Sequence, residues 1–224
     1  MNVAAYIDHT LLKPDSTLDN IRQLCAEARE YGFAAVCIPP YYVHDAARWL
    51  EDAPQKIQVA TVVGFPLGYS STIAKVEEIK RAIDDGADEI DAVINLCAVK
   101  NQLWSHVRSD VDSLITASRM KGKKIKIILE TAILTPVELE QACAVMAELG
   151  PDFAKTSTGF NGGGATLEVV KRMGELLHHK IAIKASGGIR SFADAKAMIE
   201  AGATRIGTSS GVAIVKGETG EGSY

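Results

Sequence analysis

Two lysines stand where short apolar runs end. Lys155 closes Pro151-Asp-Phe-Ala-Lys155 and opens Thr-Ser-Thr-Gly159. Lys184 closes Ile181-Ala-Ile-Lys184 and opens Ala-Ser-Gly-Gly188. An ammonium at the end of a buried strand is costly unless it is paired or used. Two of them in neighbouring segments point to an amine kept neutral enough to attack a carbonyl. On adjacent strands, about 4.8 Å apart, each ammonium is expected to disfavour protonation of the other, and burial adds to this.

Asp91 is either a solvent-facing aspartate near a strand start or, in a barrel, a carboxylate facing the lysines. In Glu89-Ile-Asp-Ala-Val-Ile-Asn95, period-two alternation sets Asp91 on one face with Val93 and Asn95. A carboxylate facing the lysines could pair with one, shuttle a proton, or both. The run 124–130 alternates Lys124, Lys126, Ile128 and Glu130 with Ile125, Ile127 and Leu129. The uniformly apolar set suits contact with helices, which would turn Lys126 and Glu130 toward a charged interior; the alternative is the inverted phase. Two glycine-rich turns, Gly187-Gly-Ile-Arg190-Ser and Gly207-Thr-Ser-Ser-Gly211, would let backbone N–H groups approach an anion. Arg190 either adds charge there or is a solvated helix-start residue. Asp8 and Thr10 either line the pocket or cap the turn after the first strand.

The elements that must position these groups follow one repeated grammar. A helical stretch ends at a glycine (Gly32, Gly86, Gly122, Gly150, Gly202), and an apolar strand begins within a few residues. Eight strands are predicted near 5–9, 34–38, 59–63, 89–94, 125–129, 153–155, 182–184 and 204–206. Helical patterns follow at about 17–31, 42–51, 71–86, 102–120, 136–149, 163–178, 191–200 and 209–215. Eight strand–helix units in 224 residues predict an α/β fold, a compact TIM (β/α)8 barrel in a single domain over 1–224. The competing open, doubly wound sheet lacks a Gly-x-Gly-x-x-Gly turn after its first strand. In a barrel the lysines, Asp91 and the glycine turns all fall at the active face, with loops seven and eight placed to hold a phosphate on the short helix near 209–215. The Gly-rich stretch at about 216–224 is expected to be a mobile tail; Tyr224 either folds over the site or frays.

Composition narrows the function. Hydrophobic residues make up 47% and the formal net charge is −4, without the basic excess of a nucleic-acid binder, so an anionic ligand must be captured locally. No apolar run approaches the roughly 18 residues of a membrane span, and the N-terminus lacks a signal-peptide layout. Four dispersed cysteines read as reduced thiols in a cytoplasmic protein. The five histidines show no ligand spacing, so neither a metal nor a cofactor is expected.

Taken in order, Ile7-Asp-His-Thr-Leu-Leu-Lys13, Val62-Val-Gly-Phe-Pro-Leu-Gly68, Glu89-Ile-Asp-Ala-Val-Ile-Asn95, Ile128-Leu-Glu-Thr131, Phe153-Ala-Lys-Thr-Ser-Thr-Gly-Phe160, Lys184-Ala-Ser-Gly-Gly-Ile-Arg190 and Arg205-Ile-Gly-Thr-Ser-Ser210 resemble the deoxyribose-phosphate aldolase family from end to end. The resemblance implies a metal-free, class I aldolase on a TIM barrel. It implies reversible cleavage of 2-deoxy-D-ribose 5-phosphate to acetaldehyde and D-glyceraldehyde 3-phosphate. It puts Lys155 at the Schiff-base position, Lys184 and Asp91 at the proton relay, and Gly159, Gly187, Gly188, Gly207, Ser209 and Ser210 around the phosphate. Thr156, next to Lys155 in its motif, joins Asp8, Thr10 and Arg190 among the expected substrate-binding residues. Partners are then a phosphorylated sugar, aldehydes and, in a homo-oligomer, further copies of the chain. Cys97 departs from the pattern, standing where the family usually has glycine.

Overall fold

The computed structural model describes residues 1–220. Its eight strands are β1 Ile7–Thr10, β2 Ala35–Ile38, β3 Gln58–Val63, β4 Glu89–Val93, β5 Lys124–Ile128, β6 Phe153–Lys155, β7 Ala182–Ser186 and β8 Arg205–Thr208. Each pairs in parallel with its sequence neighbours, and β1 pairs with β8, so the sheet closes in strand order. Around it lie α1 Leu18–Tyr31, α2 Val43–Leu50, α3 Thr72–Asp84, α4 Leu96–Lys100, α5 Trp104–Arg119, α6 Pro136–Leu149, α7 Leu167–Leu176, α8 Phe192–Glu200 and α9 Gly211–Lys216. This is the (β/α)8 barrel that the glycine grammar predicts.

Local chemistry explains where the helices begin and end. Thr17, Thr135 and Ser191 each accept a backbone N–H three residues on, and the residue there (Asn20, Glu138 or Asp194) returns the bond. That reciprocal cap satisfies donors with no partner inside the helix. Gly32 and Gly150 end α1 and α6 in the left-handed conformation, at φ 71° and 64°. Aliphatic side chains from the strands' outer faces and the helices form the main core, including Ile7, Val36, Ile90, Ile125, Ile127 and Ile206.

The barrel interior has two unlike walls. On the β2–β3 side, Leu12, Cys37, Ala60 and Val62 form a small apolar cluster. The other strands turn a cluster of buried charged side chains inward, Asp8, Glu89, Asp91, Lys126, Lys155, Lys184 and Arg205, with the Phe153 ring packed against Lys126 and Arg205. A second buried ion pair lies outside the barrel. Lys75 of α3 donates to Asp110 of α5 (2.6 Å) and to the carbonyl of Val93, the last residue of β4 (3.2 Å).

Several segments differ from expectation. The first strand starts at Ile7, not at 5, because Val3–Tyr6 winds into a 3-10 turn. Residues 96–100 form an unforeseen helix, α4, started by the Asn95 side chain accepting the Ala98 N–H (3.0 Å). Cys97 sits on it, exposed. The predicted helix over 163–178 begins only at Leu167. The glycines before it form a loop so close to the next one that a Cβ on Gly164 would lie 2.3 Å from the Gly187 carbonyl oxygen. Past α9, the Gly220 N–H donates to the Arg190 carbonyl (2.9 Å). The last part of the expected mobile tail, including Tyr224, lies outside the described residues.

Candidate active site

Strand register brings the candidates together. Lys155 pairs with Lys184 across β6–β7, and Asp91 pairs with Lys126 across β4–β5. All four point inward. Asp91 Oδ2 accepts from both Lys155 Nζ (2.8 Å) and Lys184 Nζ (2.7 Å), while its Oδ1 accepts from Lys126 (2.7 Å). Lys184 also donates to Asp8 Oδ2 (2.5 Å). Below them, Arg205 bridges Asp8 Oδ1 (2.6 Å) and Glu89 (2.9 and 3.1 Å), and Lys126 lies 2.6 Å from Glu89.

Among the described residues, four cationic side chains in this cluster face three carboxylates. With every group in its usual charge state the cluster carries one excess positive charge, in a place where water cannot screen it. Deprotonating one amine balances it. The amine pushed in that direction is Lys155: burial lowers its pKa below the usual lysine value, Asp91 opposes this, and Lys184 adds to it. Lys184 goes the other way. Burial alone would lower it, but Asp8 and Asp91 together hold it well above the usual value. The expected mutual depression of the two lysines is therefore corrected to a one-sided one, because Lys184 has a second carboxylate of its own and Lys155 does not. Asp91, though buried, is held well below the usual carboxylate range by Lys126, Lys155 and Lys184, and Asp8 is lowered by Lys184, Lys126 and Arg205.

Beyond the lysines, at the C-terminal ends of the strands, lies a cavity of about 260 Å³ walled largely by backbone. Gly159, Gly162, Gly163 and Gly164 come from the loop after β6, Gly187, Gly188 and Arg190 from the loop after β7, and Gly207 and Ser209 from β8 and its loop. Such a wall offers N–H groups to an anion without side chains in the way. A larger surface cavity, about 520 Å³, lies at the opposite ends of the strands among residues such as His44, Lys56 and Asp88, away from the lysines.

The family model for DeoC/LacD family aldolases matches residues 2–217. The chain belongs to that family. It is 50% identical over 224 residues to a deoxyribose-phosphate aldolase of Halalkalibacterium halodurans, covering 100% of this chain and 99% of that one. It is 49% identical over 217 residues to the enzyme of the same name from Thermococcus gammatolerans, covering 97% and 96%. The solved deoxyribose phosphate aldolase from Aeropyrum pernix, described as tetrameric, superposes with a TM-score of 0.88 at 33% identity, covering 96% of this chain and 89% of that one.

Within this family fold, the remaining predicted residues take different places. Asp8 and Thr10 are buried on β1: Asp8 joins the ion cluster, and the Thr10 hydroxyl donates to the Asp8 carbonyl (2.8 Å). Thr156 Oγ1 accepts the Ser186 N–H (3.1 Å), tying the loop after β6 to the end of β7. Ser210 is buried and does not line the cavity, its N–H donating to Thr208 Oγ1 (3.0 Å). Arg190 is exposed at the cavity rim. Glu130 does not join the charged network. It lies beyond the end of β5 at φ 57°, where alternation no longer applies, and accepts from Asn161 (2.8 Å) and from the backbone and hydroxyl of Thr158. It braces the loop after β6.

Sequence reasoning missed Glu89 and Arg205. Both had a signal: Glu89 is two residues before Asp91 and Arg205 two before Gly207, so each shares an inward phase. Among the described residues, no group of three His, Cys, Asp or Glu side chains is placed to hold a metal ion.

Proposed function

We propose that this aldolase reversibly cleaves 2-deoxy-D-ribose 5-phosphate to acetaldehyde and D-glyceraldehyde 3-phosphate, with Lys155 as the Schiff-base lysine. The observation that carries the assignment is the one-sided shift: of two amines sharing one carboxylate oxygen, only Lys155 is pushed toward its neutral, nucleophilic form. Neutral Lys155 attacks the C1 aldehyde of the open-chain sugar. The carbinolamine loses water to give a protonated imine. Its cationic nitrogen takes the electron pair of the C2–C3 bond as that bond breaks. The 3-hydroxyl gives up its proton, C3 leaves as the aldehyde of D-glyceraldehyde 3-phosphate, and an enamine stays on Lys155. Protonation at C2 and addition of water release acetaldehyde and restore the amine.

The proton roles follow from charge. Asp91 is a carboxylate in the resting site, so it accepts the 3-hydroxyl proton through a water molecule. Lys184 is an ammonium, so it delivers the proton to the enamine. The glycine cavity takes the phosphate and fixes the distance between anion and imine.

We further propose that the chain works in the cytoplasm as one domain over 1–224 and as a homo-oligomer. Its cysteines are free, no described helix is long and apolar enough to cross a membrane, and a relative is described as tetrameric. Sedimentation gives the oligomeric state. A coupled assay for D-glyceraldehyde 3-phosphate, run on EDTA-treated protein, tests the reaction. Turnover with 2-deoxyribose 5-phosphate is expected, and turnover only with ketose phosphates would point instead to a transaldolase-like enzyme.

A further inference from the structure

Two residues past Lys184, β7 ends in Ser186, on the same inward face. Its backbone is committed on both sides. The N–H donates to Thr156 Oγ1, and the carbonyl accepts from Ala165 N–H (2.9 Å) and Thr156 Oγ1 (3.3 Å). Its hydroxyl, by contrast, is buried and has no hydrogen-bond partner.

The position of that hydroxyl is set by its neighbours. A Cβ built on Gly207 would lie 2.3 Å from Ser186 Oγ and 3.0 Å from Lys184 Cε. The hydroxyl thus fills the space that a side chain at position 207 would take, directly beside the Lys184 stem. Gly207 is also a wall of the anion cavity. Ser186 Oγ therefore stands at the junction between the amine layer and the glycine cavity. It is no more buried than Lys184, which faces the same substrate.

A buried hydroxyl without a partner costs about 1–3 kcal/mol, and such atoms are rare in folded proteins unless something completes them. A substrate bonded to Lys155 with its phosphate in the cavity would thread this junction. If C1 is bonded to Lys155, the 3-hydroxyl meets the Asp91–Lys184 layer and the phosphate on C5 fills the cavity, so C4 passes between them. We propose that Ser186 is a substrate-binding residue whose hydroxyl hydrogen-bonds the sugar 4-hydroxyl, so that the enzyme prefers acceptor aldehydes carrying a hydroxyl next to the carbonyl. This rests on the aldolase reading above. A site built to pair with a hydroxyl discriminates against the analogue that lacks it, because its own polar group is then stranded.

The test is synthesis from acetaldehyde with two acceptors, D-glyceraldehyde 3-phosphate and 3-oxopropyl phosphate, which lacks the hydroxyl. Wild type is expected to favour the first by about tenfold or more in kcat/KM. Ser186→Ala should lose about tenfold on the first acceptor and almost nothing on the second. Its thermal midpoint should not fall, since the deleted atom makes no bond in the free protein. Borohydride trapping of acetaldehyde on Lys155 should be unchanged, since that half-reaction involves no 4-hydroxyl. Equal losses on both acceptors, or on neither, overturn the proposal for Ser186 while trapping upholds the aldolase reading. Failure of wild type to trap acetaldehyde overturns that reading itself.

Discussion

At the scale of single residues, what separates Lys155 from Lys184 is the number of carboxylates each one touches. Lys155 shares Asp91, whereas Lys184 shares Asp91 and also has Asp8. The pair of lysines and the inward phase of Asp91 and Lys126 are legible in local sequence. The asymmetry is not, because Lys184 and Asp8 are 176 residues apart and meet only when the barrel closes. The separation predicts a pH effect. Imine formation needs neutral Lys155, so its rate rises with pH through the depressed pKa of that amine. Replacing Lys184 with Met removes a cation that depresses Lys155 and leaves Asp91 to stabilise the Lys155 ammonium. The rising limb of acetaldehyde trapping, followed against pH, should move to higher pH in Lys184→Met. An unmoved limb would mean that Lys184 does not tune the nucleophile.

At the scale of elements, strands are legible in the sequence and helix faces are not. Glycine stops and short apolar runs marked all eight strands to within a few residues. Segments such as 96–100, with neither a strong period nor a glycine stop, gave no such mark. In α3 the pattern misleads outright: Ile73 is 77% exposed, whereas Lys75 is fully buried. Lys75 is inside because Asp110 on α5 and the end of β4 supply its partners. Removing one partner of a buried pair strands the other, at a cost of about 3–5 kcal/mol. Lys75→Met should lose about that much stability in urea unfolding, and adding Asp110→Leu should restore part of it. Because Lys75 holds the carbonyl two residues past Asp91, the single variant should also lower kcat. A variant as stable as wild type would show that the pair does not brace β4.

At the scale of the whole molecule, the interior ions tie together six of the eight strands, β1 and β4 to β8. The same network that holds Lys155 therefore helps close the barrel, while the β2–β3 wall supplies apolar packing. This arrangement has a signature in acid. Asp8 and Asp91 have folded pKa values below the ordinary 3.8. The stability they contribute is fully present above that value and is lost as pH falls toward the depressed ones. The thermal midpoint should drop from about pH 4 downward, and the drop should be shallower in Asp8→Asn, which has one such group fewer. Parallel curves for the two proteins would contradict a role for Asp8 in acid stability.

In the proposed mechanism Lys155 is the amine that bonds to substrate, and Lys184, though just as close to Asp91, is not. Incubation with acetaldehyde and borohydride, followed by peptide mass spectrometry, tests it most directly. An ethyl group is expected on the peptide carrying Lys155, with loss of activity in step with its appearance and no labelling of Lys155→Leu. An ethyl group on Lys184 with Lys155 untouched, or full activity after complete modification of Lys155, would contradict it.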